Sequence, residues 1–287
     1  MLNKTKALID IIVYDEKPSN IDNNLLEHAA RNKILLHVLR KLNIHNRLRI
    51  EQEERLDTIR KTLANIWRNL PYDNRISLIK FSKPVIYVPS DIDLLVHEDI
   101  LQDTIRVLRN LGFRLQIVEP YCITLIGRKN VIIDLYIYPS VSNIIYLDRD
   151  ILLNNTTVAE IDGTIIRTLN KEAETLITIA HAVYKENMIT LNDYLTVMAW
   201  YNSKVAELAK KSNILYAVNI TLEYMNLINK GLMETPVRIA PERLLRAYIE
   251  KIMNDRLTRS SIIKVIKKMN DKRLGPLILS KLTRKTY

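Results

Sequence analysis

The hydrophobic period changes twice along this chain, and that change limits what it can fold into. Apolar residues first recur at helical spacing: Leu25, Leu26, Ala29, Leu36 and Leu39, then Leu56, Ile59, Leu63, Ile66 and Leu70. The pattern predicts one helix from a cap at Ser19 to about Leu42 and a second from about Leu48 to Leu70, ended by Pro71. Between 76 and 138 the period shortens to that of strands. Strands are expected at 76–81, 91–96, 113–118, 122–126 and 131–138, with a helix from about Glu98 to Leu111 closed by Gly112, and a turn at Lys129-Asn130. Asp162-Gly163 is a hairpin signal between strand-like pieces at 157–160 and 164–169. From Lys171 the helical period returns, with helices expected near 171–185, 190–210, 213–230, 241–254, 259–270 and 276–284. The expected fold class is α+β, a small mixed sheet between helical parts. The expected units are an N-terminal helical segment (1–70), an α+β core (71–140), a β extension (141–170) and a helical C-terminal domain (171–287).

Composition narrows the function classes. With 47% hydrophobic and 26% charged residues, the 287-residue chain is neither a disordered chain nor a membrane protein. No apolar stretch approaches the ~20 residues of a spanning helix. The short run from Ala7 to Tyr14 contains Asp10 and does not read as a signal peptide. The single cysteine, Cys122, excludes an internal disulfide framework and a cysteine-based zinc site, and a reducing, cytoplasmic setting is expected. Five glycines leave no glycine-rich nucleotide loop. The low Gly and Cys content, with many Ile, Lys and Arg, also fits a thermophile. His28, His37 and His45 have no cysteine or carboxylate cluster beside them and read as ordinary surface or boundary residues, not ligands.

The net charge is +11, and it is concentrated. Residues 241–287 hold 13 lysines and arginines against 4 acids. Such a face is either simply solvated or a surface for phosphates, and Arg256, Arg259, Lys264, Lys267 and Lys268 are the candidates for contact with nucleic acid.

The most informative stretch is Ser90-Asp91-Ile92-Asp93-Leu94-Leu95-Val96. Strand alternation puts Asp91 and Asp93 on one face and Ile92, Leu94 and Val96 on the other. Neighbouring carboxylates repel, and a cation between them relieves that; Mg²⁺ favours such hard oxygen ligands. An amphipathic strand places a polar residue at every second position anyway, so the pair alone is a weak signal. Asp134 is different. It interrupts the apolar run Val131-Ile132-Ile133-Asp134-Leu135-Tyr136-Ile137, where a lone acid needs a reason. If the two strands are neighbours, three aspartates converge, and such a set can hold two metal ions across a phosphoryl transfer.

The sequence here resembles the nucleotidyltransferase superfamily with the DNA polymerase β-type fold. More closely it resembles a largely uncharacterised nucleotidyltransferase-like family, over about residues 20 to 200. The resemblance is carried by Leu25 to Asn32, Ile79-Lys80-Phe81, the Ser90 to Val96 motif, Ile133-Asp134-Leu135, the histidine-bearing Thr175 to Ala182, and Leu191-Asn192-Asp193-Tyr194-Leu195. It implies metal ligation and catalysis by Asp91, Asp93 and Asp134, with Mg²⁺ or Mn²⁺ as cofactor. The implied reaction transfers a nucleoside monophosphate from a nucleoside triphosphate to a hydroxyl or phosphate acceptor. Where relatives carry a Gly-Ser pair this chain has Phe81-Ser82-Lys83, and Val88-Pro89 stands where an arginine is common. Ser82, Lys83, Lys80 and Ser90 are the candidates for nucleotide contact. The basic tail points to RNA, tRNA among them, as the acceptor. The alternative is a catalytically degenerate module that uses the same fold to bind nucleic acid or a protein partner. His181, among apolar neighbours, reads as a helix residue more readily than as a catalyst.

Overall fold

The computed structural model describes residues 3–16, 21–70 and 73–269. Helix α1 (Lys4–Val13) opens the chain, where only a short apolar run was expected, and its Leu8, Ile9 and Ile11 are buried. The helix expected from Ser19 to Leu42 is two, α2 (Asn23–Arg31) and α3 (Leu35–Lys41). The break falls at Lys33, whose φ of 59° is left-handed, a conformation that cannot continue a helix. Ser19 lies outside the described residues, and the side chain of Asp22 caps α2 by accepting from the Leu25 N–H at 2.8 Å. His28, expected at the surface or its boundary, is buried, with Nε2 3.1 Å from Thr5 Oγ1. Helix α4 (Arg47–Asn69) follows.

The sheet elements come next. They are β1 (Ile76–Ile79), β2 (Ile92–Val96), helix α5 (Glu98–Asn110), β3 (Arg114–Val118), β4 (Cys122–Ile126) and β5 (Ile132–Tyr136). Lys129 and Asn130 both take positive φ, as the tight turn between β4 and β5 requires. Two short strands, β6 (Ser140–Val141) and β7 (Ile144–Ile145), and helix α6 (Arg149–Leu153) lead to the hairpin β8 (Thr156–Ile161) and β9 (Thr164–Leu169). The main sheet has seven strands in the order β3-β4-β5-β2-β1-β9-β8. It is mixed: β2 is parallel to β5 and β1 is parallel to β9, while the other neighbours are antiparallel. The expected core and the expected β extension therefore share one sheet.

The C-terminal part is helical: α7 (Lys171–His181), a π-helical turn at 182–186, the short strand β10 (Met188–Ile189), α8 (Leu191–Trp200), α9 (Ser203–Lys211), α10 (Leu215–Asn229), β11 (Val237–Arg238), α11 (Pro241–Asn254) and α12 (Arg256–Met269). The single helix expected over 190–210 is split because the Asn202 side chain caps α9 through the Val205 N–H. The helix expected at 276–284 lies outside the described residues. Among the described residues no helix is long and apolar enough to cross a membrane.

Two apolar cores lie on opposite faces of the sheet. Ile92, Leu94, Val96, Ile133 and Leu135 pack with α4 and α5 residues such as Leu63, Ile66, Ile105 and Leu108. Leu95 and Tyr136 face the other way, into the core built on α1 to α3 and α7 to α11. This alternation, expected from the period of 2, aims Asp93 and Asp134 at the helical C-terminal part.

Candidate active site

Parallel pairing of β2 with β5 sets Asp93 directly beside Asp134. Asp91, one residue ahead of β2, completes the group. One carboxylate oxygen from each of the three lies within 4.8 Å of the others, so Asp91, Asp93 and Asp134 could hold a metal ion together. The hard oxygen donors fit a divalent cation of the Mg²⁺ or Mn²⁺ type. Ser90 Oγ donates to Asp91 Oδ1 at 2.8 Å, and Thr124 Oγ1, opposite Asp134 on β4, donates to Asp134 Oδ1 at 2.6 Å.

These carboxylates differ in setting. Asp93 is 6% exposed, and burial pushes its carboxyl up to about 6, against the pull of Lys80 and with the push of Asp91. Burial also raises Asp134, with the Thr124 hydrogen bond opposing it and Asp91 adding to it. Lys80 Nζ lies 2.7 Å from Asp93 Oδ1, an ion pair without the alignment of a hydrogen bond. Burial works most strongly against the Lys80 ammonium, but Asp93, Tyr136, Tyr146 and Asp91 together outweigh it and hold the lysine well above its ordinary pKa. The pair is therefore ionised at neutral pH.

Two concavities meet at the motif: Ser90 and Asp91 line both, and Asp93 lines one of them. On the helical side is a small cleft of about 100 Å³, lined by Lys33, Lys83, Lys185, His181, Tyr87 and Asn192 beside the carboxylates. Lys185, on the π-helical turn, donates to the Tyr136 hydroxyl at 3.1 Å. His181 is held neutral, first by burial and then by the surrounding lysines, so its 3.5 Å approach to Glu186 is not an ion pair. On the α4 side is an open groove of about 830 Å³, lined by Glu51, Glu54, Arg55, Asp57, Lys129 and Asn130 among others.

The segment between β1 and β2 is fastened from α7. Glu174, fully buried, accepts from the Lys80 N–H at 3.0 Å through Oε2 and pairs with Lys83 Nζ at 2.9 Å through Oε1. Lys83 Nζ also donates to Thr178 Oγ1 at 2.7 Å. Lys80 itself takes a φ of 57°. Phe81, the next residue, packs on the α4-side core.

No family model and no curated protein sequence matches the chain. Solved structures with a similar arrangement include the antibiotic-resistance factor ANT(2'')-Ia, with 16% identity over 62% of this chain and 97% of that one and a TM-score of 0.39. The lincosamide antibiotic adenylyltransferase LnuA, in lincomycin-bound form, gives 14% identity over 53% and 97% with a TM-score of 0.32. An antigenic nucleotidyltransferase-like protein from Paracoccidioides brasiliensis gives 12% identity over 80% and 94% with a TM-score of 0.30. At these scores the likeness adds nothing to the chemistry of the site, which stands on its own residues.

The residues singled out from sequence fall into three groups. Asp91, Asp93, Ser90, Lys80 and Lys83 line the cleft, and Asp134 joins them through its grouping with Asp91 and Asp93. Ser82 does not line it; its hydroxyl is 3.2 Å from Thr168 Oγ1 on β9. The basic residues of α12 form a separate set. Arg256 and Lys267 are exposed and Lys268 lies on the same helix. Arg259 donates to the Ile252 carbonyl at 3.1 Å, and Lys264 Nζ lies 3.4 Å from the Tyr121 hydroxyl. Three positions were not marked by the sequence pattern as site residues. Thr124 merely alternates within its strand, and Glu174 is an acid in an apolar helix. Arg55 reaches from α4 to donate to the Ser90 carbonyl at 3.0 Å. It brings a guanidinium to the motif whose preceding residues, Val88-Pro89, have none.

Proposed function

We propose that this protein is a divalent-metal-dependent nucleotidyltransferase. It moves a nucleoside monophosphate from a nucleoside triphosphate to a hydroxyl or phosphate acceptor. The observation that carries the reading is the convergence of Asp91, Asp93 and Asp134, the first two of which line a lysine-rich cleft. Three like charges, two of them on buried strands, are costly to keep together unless a cation or a reaction uses them. A metal ion held there supplies Lewis acidity toward the phosphate and the attacking oxygen. The chain's own residues do the rest. Lys33, Lys83 and Lys185 draw the triphosphate into the cleft. Asp134 accepts the proton of the acceptor oxygen as that oxygen bonds to the α-phosphorus. The bond from the α-phosphorus to its bridging oxygen breaks, and pyrophosphate leaves on the lysine side. Lys80 stays with Asp93 and limits the repulsion among the carboxylates. Ser90 orients Asp91 and Thr124 orients Asp134. Ser82 acts through Thr168 and not on the nucleotide. In this reading the exposed basic face of α12 draws RNA as the acceptor.

Thermal unfolding in the presence of Mg²⁺ and each nucleoside triphosphate tests this. A ligand at about 100 times its Kd adds about 2.7 kcal/mol to the native state. Stabilisation by a nucleotide that requires the metal, and that Asp93→Ala loses, is expected. No response to any nucleotide would leave the fold as a binding module and overturn the proposal.

A further inference from the structure

We infer that Lys80 takes the place of one of the two cations that a three-carboxylate site of this kind can hold, so that the triad binds a single divalent ion. The inference rests on the metal-dependent reading above and narrows it.

Four features of the structure carry it. First, Lys80 Nζ lies 2.7 Å from Asp93 Oδ1, and that oxygen is closed to solvent. A metal ion reaching it would have to displace the ammonium. Second, the ammonium is held in place. The Lys80 backbone is left-handed, its N–H is taken by the buried carboxylate of Glu174, and its Nζ lies 4.9 Å from the centre of the Tyr136 ring. A non-glycine residue in that backbone region persists only where its surroundings enforce it, and such positions gather at functional sites. Third, Ile79 pairs with Asp93 across β1 and β2, so Lys80 follows directly on the residue opposite the carboxylate, and its left-handed backbone breaks the alternation that would otherwise turn its side chain to the other face. Fourth, the charges leave room for one dication. Asp91, Asp93 and Asp134 face Lys80 and also Lys185, which sits 3.1 Å from the Tyr136 hydroxyl; Lys83 is paired separately with Glu174. Three carboxylates against two ammonium groups have little need of four further positive charges.

The arrangement gives Asp91 and Asp134 the main share of metal binding. Asp93 becomes a bridge between the ion and a fixed lysine. Lys80 is then a positioning residue and a built-in counter-charge.

The test counts ions rather than turnover. Mn²⁺ bound per chain is measured by equilibrium dialysis and by electron paramagnetic resonance, with inorganic tripolyphosphate present so that an ion arriving with phosphate is included. The wild-type protein is expected to hold one Mn²⁺ with an uncoupled spectrum. Lys80→Met is expected to hold two, with the broadened spectrum of a coupled pair. Two coupled ions in the wild type would overturn the inference and leave the metal-dependent reading standing. No bound ion in the wild type would overturn both. One ion in both proteins would show that Lys80 is not what excludes the second and would also overturn it. If Lys80→Met fails to fold, the wild-type count decides: one ion upholds the single-ion site and two refute it.

Discussion

Glu174→Ala should unsettle the whole site from a distance. Glu174 is fully buried and holds two groups at once, the Lys83 ammonium at 2.9 Å and the Lys80 N–H at 3.0 Å. Removing one member of a buried ion pair costs about 3–5 kcal/mol, because the other charge stays behind without its partner. An orphaned buried amide adds about 1–3 kcal/mol. Lys83 keeps Thr178 Oγ1 at 2.7 Å, and the two losses share one loop and do not simply add. A net loss of about 4 kcal/mol is expected. Unfolding entropy of about 2.1 cal/mol/K per residue gives about 0.6 kcal/mol/K for this chain, so the melting temperature should fall by about 7 °C. Urea unfolding followed by tryptophan fluorescence, alongside calorimetry, reads both quantities. The double variant Lys83→Met/Glu174→Gln keeps an acceptor for the Lys80 N–H and removes both charges, and it should recover most of the loss. A Glu174→Ala cost below about 1 kcal/mol, smaller than a typical buried-pair loss, would refute the argument. So would a double variant no more stable than the sum of its parts.

Other outcomes follow from the same geometry. The His37 ring accepts from the Ile86 N–H at 3.1 Å, and burial, then Lys41 and Arg40, push its pKa down to about 4. The unfolded chain takes up that proton near the ordinary value of about 6.5. The stability His37 contributes is thus complete above pH ~6.5 and lost as the pH falls toward 4; His37→Gln should flatten the fall in melting temperature over that window, and an unchanged fall would remove His37 from the account. Thr124→Val removes the 2.6 Å donor to Asp134 and should weaken Mn²⁺ binding measured by calorimetry by about tenfold, in line with the loss of a partner that orients a metal ligand. Charge reversal at Lys264 and Lys267 should flatten the salt dependence of RNA binding, each phosphate contact contributing about 0.9 to the slope; an unchanged slope would take α12 out of acceptor binding.

The carboxylate faces were legible because strand alternation is a local rule. The apolar sets Ile92, Leu94, Val96 and Ile133, Leu135 had to face helices, which left the aspartates on the other side. That β2 lies beside β5 was only a condition in the sequence, since pairing across some forty residues is decided by the packed whole. The same holds for β9 beside β1, which merges two segments that read as separate. Backbone exceptions were hidden for another reason. Lys33 and Lys80 adopt left-handed φ without being glycine, so composition gives no warning of the helix break or of the loop that aims Lys80 at Asp93. Glu174 was visible as an acid in an apolar helix, yet its partners lie some ninety residues away. Ser82 was drawn toward the phosphates by resemblance, and the parallel neighbour β9 claims its hydroxyl instead.

The most direct test of the account is label transfer. The protein is incubated with Mg²⁺ or Mn²⁺ and each nucleoside triphosphate labelled at the α-phosphate, with total tRNA and the protein itself as acceptors. The account predicts that one nucleotide transfers its label, that the transfer requires the metal, and that Asp93→Ala and Asp134→Ala abolish it. Transfer that survives both substitutions, or no transfer from any nucleotide to either acceptor under conditions where the chain is folded, would contradict it.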